Sequence, residues 1–147
     1  MDLKNFLVNA KRSTYASNGE DILIYEQGDL RYADNYYGFN PFIGEELVWE
    51  NEKIIWGMNY FGKAKHGLDV SVEEIYSNLK KALLKIPEEA PFRGPDHLKL
   101  NDSLVYFNEY HGDINSFVGE EKILLKGFIV YNLVYHGGLV KPKNAGN

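Results

Sequence analysis

An α+β fold is predicted, built as a tandem duplication of a helix plus three or four antiparallel strands and packed as one pseudo-two-fold domain over residues 1–147. Three observations predict it. Apolar residues fall at helical spacing twice, each time ahead of a run of short alternating strands. With 14% aromatic residues, 11 Tyr among them, the composition leans toward strands, where flat rings pack on a pleated surface. The segment that starts at Phe42 is then written again from Phe117.

Leu3, Phe6, Leu7 and Ala10 repeat at helical spacing behind Asp2, a good N-cap, and Asn18-Gly19 ends that region. Ile22 to Tyr25, a turn at Gln27-Gly28-Asp29 and Leu30 to Tyr37 read as a hairpin; Glu46 to Trp49 and Ile54 to Tyr60 read as another. The second helix carries the strongest local signal. Ser71 and Glu74 form a capping box, Val72, Ile75, Tyr76, Leu79, Ala82, Leu83 and Ile86 share one face, and Pro87 stops it. After a loop from Pro87 to Pro95 come strands over Leu104 to Tyr110, Lys122 to Leu125 and Phe128 to Tyr135, the last two joined at Lys126-Gly127, and then a short polar tail.

Aligning Phe42–Lys63 with Phe117–Gly138 gives seven identities in 22 positions, including Gly44/Gly119, Glu45/Glu120, Glu46/Glu121, Tyr60/Tyr135 and Gly62/Gly137. A shift of one residue extends the match backward, pairing Leu30, Tyr32, Tyr36 and Gly38 with Leu104, Tyr106, Tyr110 and Gly112. Repeat one then covers about residues 2–66 and repeat two about 71–141. A unit of about 70 residues buries little by itself, so the halves are expected to share one core. Alternation assigns Ile54, Trp56, Met58 and Tyr60, with Ile129, Tyr131, Leu133 and Tyr135, to the core face. The opposite set, Ile55, Gly57, Asn59 and Phe61 with Val130, Asn132, Val134 and His136, is smaller and mixed, and faces solvent, a groove or a partner subunit.

A net charge of −5 without clustered Lys or Arg beyond Lys80-Lys81 argues against direct nucleic-acid contact. With no cysteine there are no disulfides and no thiolate chemistry. No stretch reads as a signal peptide or a membrane span, so the cytoplasm is the default compartment and no membrane partner is expected. The chain has no GxGxxG, P-loop, GxSxG, HExxH or CxxC motif, and neither cofactor nor metal is expected.

Chemistry is sought where Tyr-X-Gly recurs: Tyr36-Tyr37-Gly38, Tyr60-Phe61-Gly62, Tyr110-His111-Gly112 and Tyr135-His136-Gly137. If each triplet closes a strand, an up-down-up arrangement gathers two of them and a Gly-Glu-Glu at one edge of each half. In the second half that edge holds His111, His136, Glu120 and Glu121, groups able to ligate a metal or trade protons. The first half has Tyr37 and Phe61 in the His positions, which favours strand-end glycines with a structural role. The Glu pairs read either as solvated turn carboxylates or as the lining of a shared cleft. Arg93, between Phe92 and Gly94-Pro95, reads as a surface side chain or as an anion holder. His66 and His97 fall in loops.

Several of these segments carry a resemblance. Phe6-Leu7 through Tyr15-Ala16, Glu46-Leu47-Val48-Trp49, Trp56 through Gly62, Pro87-Glu88-Glu89 through Arg93-Gly94-Pro95 and His136-Gly137-Gly138-Leu139 together resemble an uncharacterised bacterial domain-of-unknown-function family, number 5680, over nearly the whole chain. Some members of that family follow helix-turn-helix modules of XRE type, which implies a sensor or effector role when fused; these 147 residues leave no room for such a module. No catalytic residue carries over. In outline the architecture is also similar to GyrI-like small-molecule-binding domains, an analogy of architecture alone.

The leading expectation is a soluble, non-enzymatic binding module that takes a small molecule or a protein in an aromatic and Glu-lined cleft. Its candidate residues are Tyr37, Trp56, Phe61, Tyr110, His111, Glu120, Glu121, His136 and Arg93. One alternative is a metal-dependent or acid–base enzyme using His111 and His136 with Glu120 or Glu121. The other is a homodimer formed through the second sheet face.

Overall fold

A computed structural model describes residues 2–16, 22–65 and 69–143. Asn18-Gly19 and His66 lie outside the described residues. The elements, in chain order, are α1 (Leu3–Tyr15), β1 (Ile22–Gln27), β2 (Leu30–Gly38), β3 (Phe42–Glu50), β4 (Lys53–Ala64), α2 (Val72–Leu83), β5 (His97–Lys99), β6 (Leu104–Asp113), β7 (Ser116–Leu125) and β8 (Phe128–Leu139). All eight strands join one antiparallel sheet in the order β1-β2-β3-β4-β8-β7-β6-β5. The fold is α+β and dominated by its sheet.

Both helices start where their caps direct. Asp2 accepts from the Lys4 amide, and Ser71 Oγ accepts from the Glu74 amide at 3.0 Å. Each places its apolar stripe against one face of the sheet: Phe6, Leu7 and Ala10 from α1, Ile75, Leu79 and Ala82 from α2. None of the described helices is long and apolar enough to cross a membrane.

Strands β3 and β4 meet through Asn51-Glu52, and β7 and β8 through Lys126-Gly127. All four residues have positive φ, as a two-residue turn matched to strand twist requires. The core face holds Trp56, Met58 and Tyr60 on β4 and Tyr131, Leu133 and Tyr135 on β8, all buried. Ile54 and Ile129, expected beside them, are instead exposed. Register shifts after Val48 and after Ile123 insert one extra residue into β4 and β8, which reverses the alternation; Val130 consequently turns inward.

The Gly-Glu-Glu segments also depart from expectation. They are strand interior, not turns, because β3 begins at Phe42 and β7 at Ser116. Gly62 and Gly137 likewise lie within β4 and β8 and close no strand; only Gly38 and Gly112 of the four triplets take positive φ, at +84° and +99°.

Candidate functional site

Strand register turns the tyrosines of the Tyr-X-Gly triplets into one row across the helix-covered face. Tyr36 pairs with Gly44, Gly44 with Tyr60, Tyr60 with Tyr135, Tyr135 with Gly119 and Gly119 with Tyr110. The two glycines explain how the row packs. A Cβ at Gly44 would overlap the Tyr60 ring, and one at Gly119 the Tyr135 ring, so each ring lies flat across its neighbouring strand. Tyr60 thereby donates to Asp34 Oδ1 on β2 at 2.6 Å, and Tyr135 to Asn108 Oδ1 on β6 at 2.8 Å.

Beside this row lies a cluster of enclosed charges. Glu46 and Glu121 have no exposed surface, and each is answered by a buried cation and a tyrosine. Glu46 Oε1 takes the Lys11 ammonium at 3.0 Å and the Tyr32 hydroxyl at 2.7 Å. Glu121 takes the Arg93 guanidinium through both oxygens, at 2.7 and 3.2 Å, with the hydroxyls of Tyr106 and Tyr131. Pairing of this kind is what lets a buried carboxylate keep its charge. Lys11 also donates to the Phe92 carbonyl at 2.6 Å, which ties α1 to the loop carrying Arg93. Burial lowers the Lys11 pKa, against the opposing pull of Glu46. Burial also works against the charge on Arg93, but Glu121 outweighs it and the guanidinium stays protonated.

Asp34 is the acid that lacks a cation of its own. It stands directly across from Glu46 in the β2–β3 pairing and is 5% exposed. Burial first, and then the Glu46 charge, push its pKa up to about 7 despite the Tyr60 hydrogen bond and the positive charges of Arg93 and Lys11. Above it opens a cleft of about 310 Å³ between α1, α2 and strands β2 to β4, walled by Tyr15, Tyr36, Phe42, Tyr60 and Tyr76. Phe39 and Lys80 stand at its edge, and Arg93 reaches it from below with its guanidinium 5.4 Å from the Tyr60 ring. Two enclosed polar atoms in this region have no hydrogen-bond partner: the Tyr15 hydroxyl and Glu46 Oε2. Such atoms are rare in folded proteins and mark places where a further polar group belongs.

The expected site residues divide between the two faces of the sheet. Trp56, Glu121 and Arg93 are buried on the helix side, where Tyr110 packs edge-on against Phe92 at 5.1 Å. Arg93 is therefore neither a surface side chain nor a holder of an external anion, because its partner is Glu121. Tyr37, Phe61, His111, Glu120 and His136 occupy the opposite face, since the X of Tyr-X-Gly points away from its inward Tyr. Of the four groups expected together at one edge of the second half, Glu121 is turned to the helix side and His111, His136 and Glu120 to the outer side.

His111 and His136 both flank Val118, so their backbones are two strand spacings apart, about 9.5 Å. Glu121 points to the other face, and Glu120 is engaged by Asn132 and Lys122. Among the described residues no group of three His, Asp or Glu is placed to hold a metal. Of the nine, only Arg93 lines the cleft. The acid at its floor had a signal in the sequence: Asp34 lies midway between Tyr32 and Tyr36, on the face that alternation assigns to the core.

An open-faced antiparallel sheet, helices on one side only and a buried charge cluster under an aromatic cleft define the class of domain. The chain belongs to the family described as Domain of unknown function (DUF5680), whose profile matches residues 34–140. That span starts at Asp34, leaving α1 with Lys11 and Tyr15 outside the match. No curated protein and no solved structure matches the chain.

Proposed function

We propose that this domain binds a small molecule in the cleft above Asp34, without catalysing a reaction on it. The observation that carries the reading is the buried carboxylate of Asp34 lining a cavity walled by aromatic rings. Ligand sites are mostly apolar concavities with a few placed polar groups, and a strongly shifted carboxyl inside one adds weight.

The same reading takes the chain as a tandem duplication. Register supports it: Phe42 pairs with Gly62 and Phe117 with Gly137, and the register shifts follow Val48 and Ile123, each an offset of 75 residues (117 − 42 and 123 − 48). Tyr60 pairs with Tyr135, again 75 apart (135 − 60), so that pair is its own equivalent and marks where a pseudo-two-fold axis would cross the sheet. The Tyr60–Asp34 and Tyr135–Asn108 hydrogen bonds recur on offsets of 75 and 74 residues, and the carboxylates Glu46 and Glu121 on 75, while their cations, Lys11 and Arg93, come from non-equivalent positions.

A thermal-shift screen of metabolites tests the binding reading, because a ligand of the native state raises its melting point. Hits that stabilise the wild type and lose their effect in Lys80→Trp, whose indole closes the cleft mouth, are expected. A flat screen, or hits indifferent to that variant, would count against the cleft. Self-association is a second reading, favoured by the exposed run of Tyr37, Ile43, Phe61 and Val134 on the outer face. Sedimentation of a monomer at every concentration would remove it.

A further inference from the structure

The protein fills one of two comparable cavities with its own chain. On the second half of the sheet, Phe92 lies flat on Phe117, with ring centroids 4.0 Å apart and planes 16° from parallel. Tyr110 and Tyr135 flank the ring at 5.1 and 6.4 Å. Two residues on, the Gly94 carbonyl accepts from Asn108 Nδ2 at 3.0 Å. A ring and a polar group thus sit over Phe117, Tyr110, Tyr135 and Asn108.

The corresponding residues of the first half are Phe42, Tyr36, Tyr60 and Asp34, and they line the open cleft. The walls match in shape. Phe42 and Tyr60 lie 6.0 Å apart at 62°, and Phe117 and Tyr135 lie 6.1 Å apart at 52°. What differs is the occupant: Tyr76 meets Phe42 perpendicularly, at 5.6 Å and 90°, and no ring contact among the described residues lies flat on Phe42 as Phe92 does on Phe117.

We infer that the cleft takes an aromatic ring carrying a basic alkylamine, the ring flat on Phe42 as Phe92 lies on Phe117 and the ammonium N–H donated to Asp34. The inference rests on the small-molecule reading of the cleft and names the chemical class. The polarity follows from one exchanged atom. Asn108 carries an amide nitrogen and donates to a carbonyl; an ionised Asp34 in the same place can only accept, so its partner must be a donor. Tyr60 already occupies Oδ1, which leaves Oδ2 to meet the ligand.

Charge bookkeeping gives the same answer. With Asp34 ionised, the enclosed cluster holds the three carboxylates Asp34, Glu46 and Glu121 against the two cations Lys11 and Arg93. A protonated amine is the missing cation. Arg93 does not compete for an anionic ligand, because Glu121 engages its fork through both oxygens. The Tyr36, Tyr60 and Tyr76 rings suit a cation at the same place.

Three indoles that differ only in their tail separate the outcomes: tryptamine, the neutral tryptophol and the anionic indole-3-acetate, titrated calorimetrically into the full chain at pH 8. Tryptamine is expected to bind one per chain, about tenfold tighter than tryptophol, with indole-3-acetate weakest. Asp34→Asn should erase that preference, bringing tryptamine to within about threefold of tryptophol. Phe92→Ala should open the second cavity and raise tryptophol stoichiometry from one to two.

Equal binding of tryptamine and tryptophol, tighter binding of indole-3-acetate, or a preference that survives Asp34→Asn would overturn the amine class and leave the small-molecule reading standing. So would silence from all three indoles when the metabolite screen yields a cleft ligand. Silence in both experiments overturns both. A folded Phe92→Ala that still binds a single tryptophol would overturn the template role of Phe92.

Discussion

Asp34 concentrates the chemistry of this domain at a single residue. Its pKa in the fold, about 7, exceeds its ordinary value of 3.8, so the native state holds a proton that the unfolded chain releases. The sign follows: the native state is favoured most below the unfolded pKa, and that advantage is lost as pH rises from about 4 to about 7. The groups that set this shift come from every element packed around it: Glu46 on β3, Tyr60 on β4, Lys11 on α1 and Arg93 in the loop. Asp34→Asn keeps the acceptor for Tyr60, as Asn108 does for Tyr135, and removes the charge facing Glu46. Urea denaturation should find the variant more stable than wild type at pH 8 by about 1–4 kcal/mol, and by less at pH 5. Parallel stability profiles for the two proteins would show that Asp34 does not titrate in this range.

Among the elements, α1 shows how a helix can be fastened by one side chain. Lys11 reaches β3 through Glu46 and the loop after α2 through the Phe92 carbonyl, so one ammonium joins three parts of the chain. Lys11→Met would leave Glu46 enclosed without its cation and should cost about 3–5 kcal/mol. Lys53→Met, at an exposed position, should stay within about 0.5 kcal/mol. Urea unfolding of both variants checks the contrast, and a Lys11→Met protein as stable as wild type would show that the pair contributes little. This role is not readable in the amino-acid order, where Lys11 is one polar residue beside an apolar stripe. The α2 helix is legible from its capping box and apolar face alone, because those signals are local. The beginnings of β3 and β7 are not: Gly-Glu-Glu has turn propensity, and only distant partners, Lys11 and Arg93, let Glu46 and Glu121 enter a buried strand. Arg93 is illegible for the same reason, since its carboxylate partner lies 28 residues further along.

Across the whole molecule, the sheet separates two surfaces of different character. Its helix side encloses the charges and opens as the cleft; its outer side exposes Tyr37, Phe61 and Val134, with His111 and His136 alongside. Period-two alternation made both faces partly legible, down to the assignment of Trp56, Met58 and Tyr60 to the core. What alternation does not convey is which half of the helix side is covered. Phe92 covers the second half, and that follows from the path of the loop after α2, which no periodicity encodes.

Whether the half that no described ring lies flat upon is a binding site is decided by a crystal structure of the full chain soaked with the strongest ligand from the metabolite screen. Ligand density is expected among Tyr36, Phe42, Tyr60 and Tyr76, within hydrogen-bond reach of Asp34. Density seated on the outer face around Tyr37, Phe61 and His136, with the cleft empty, would contradict it.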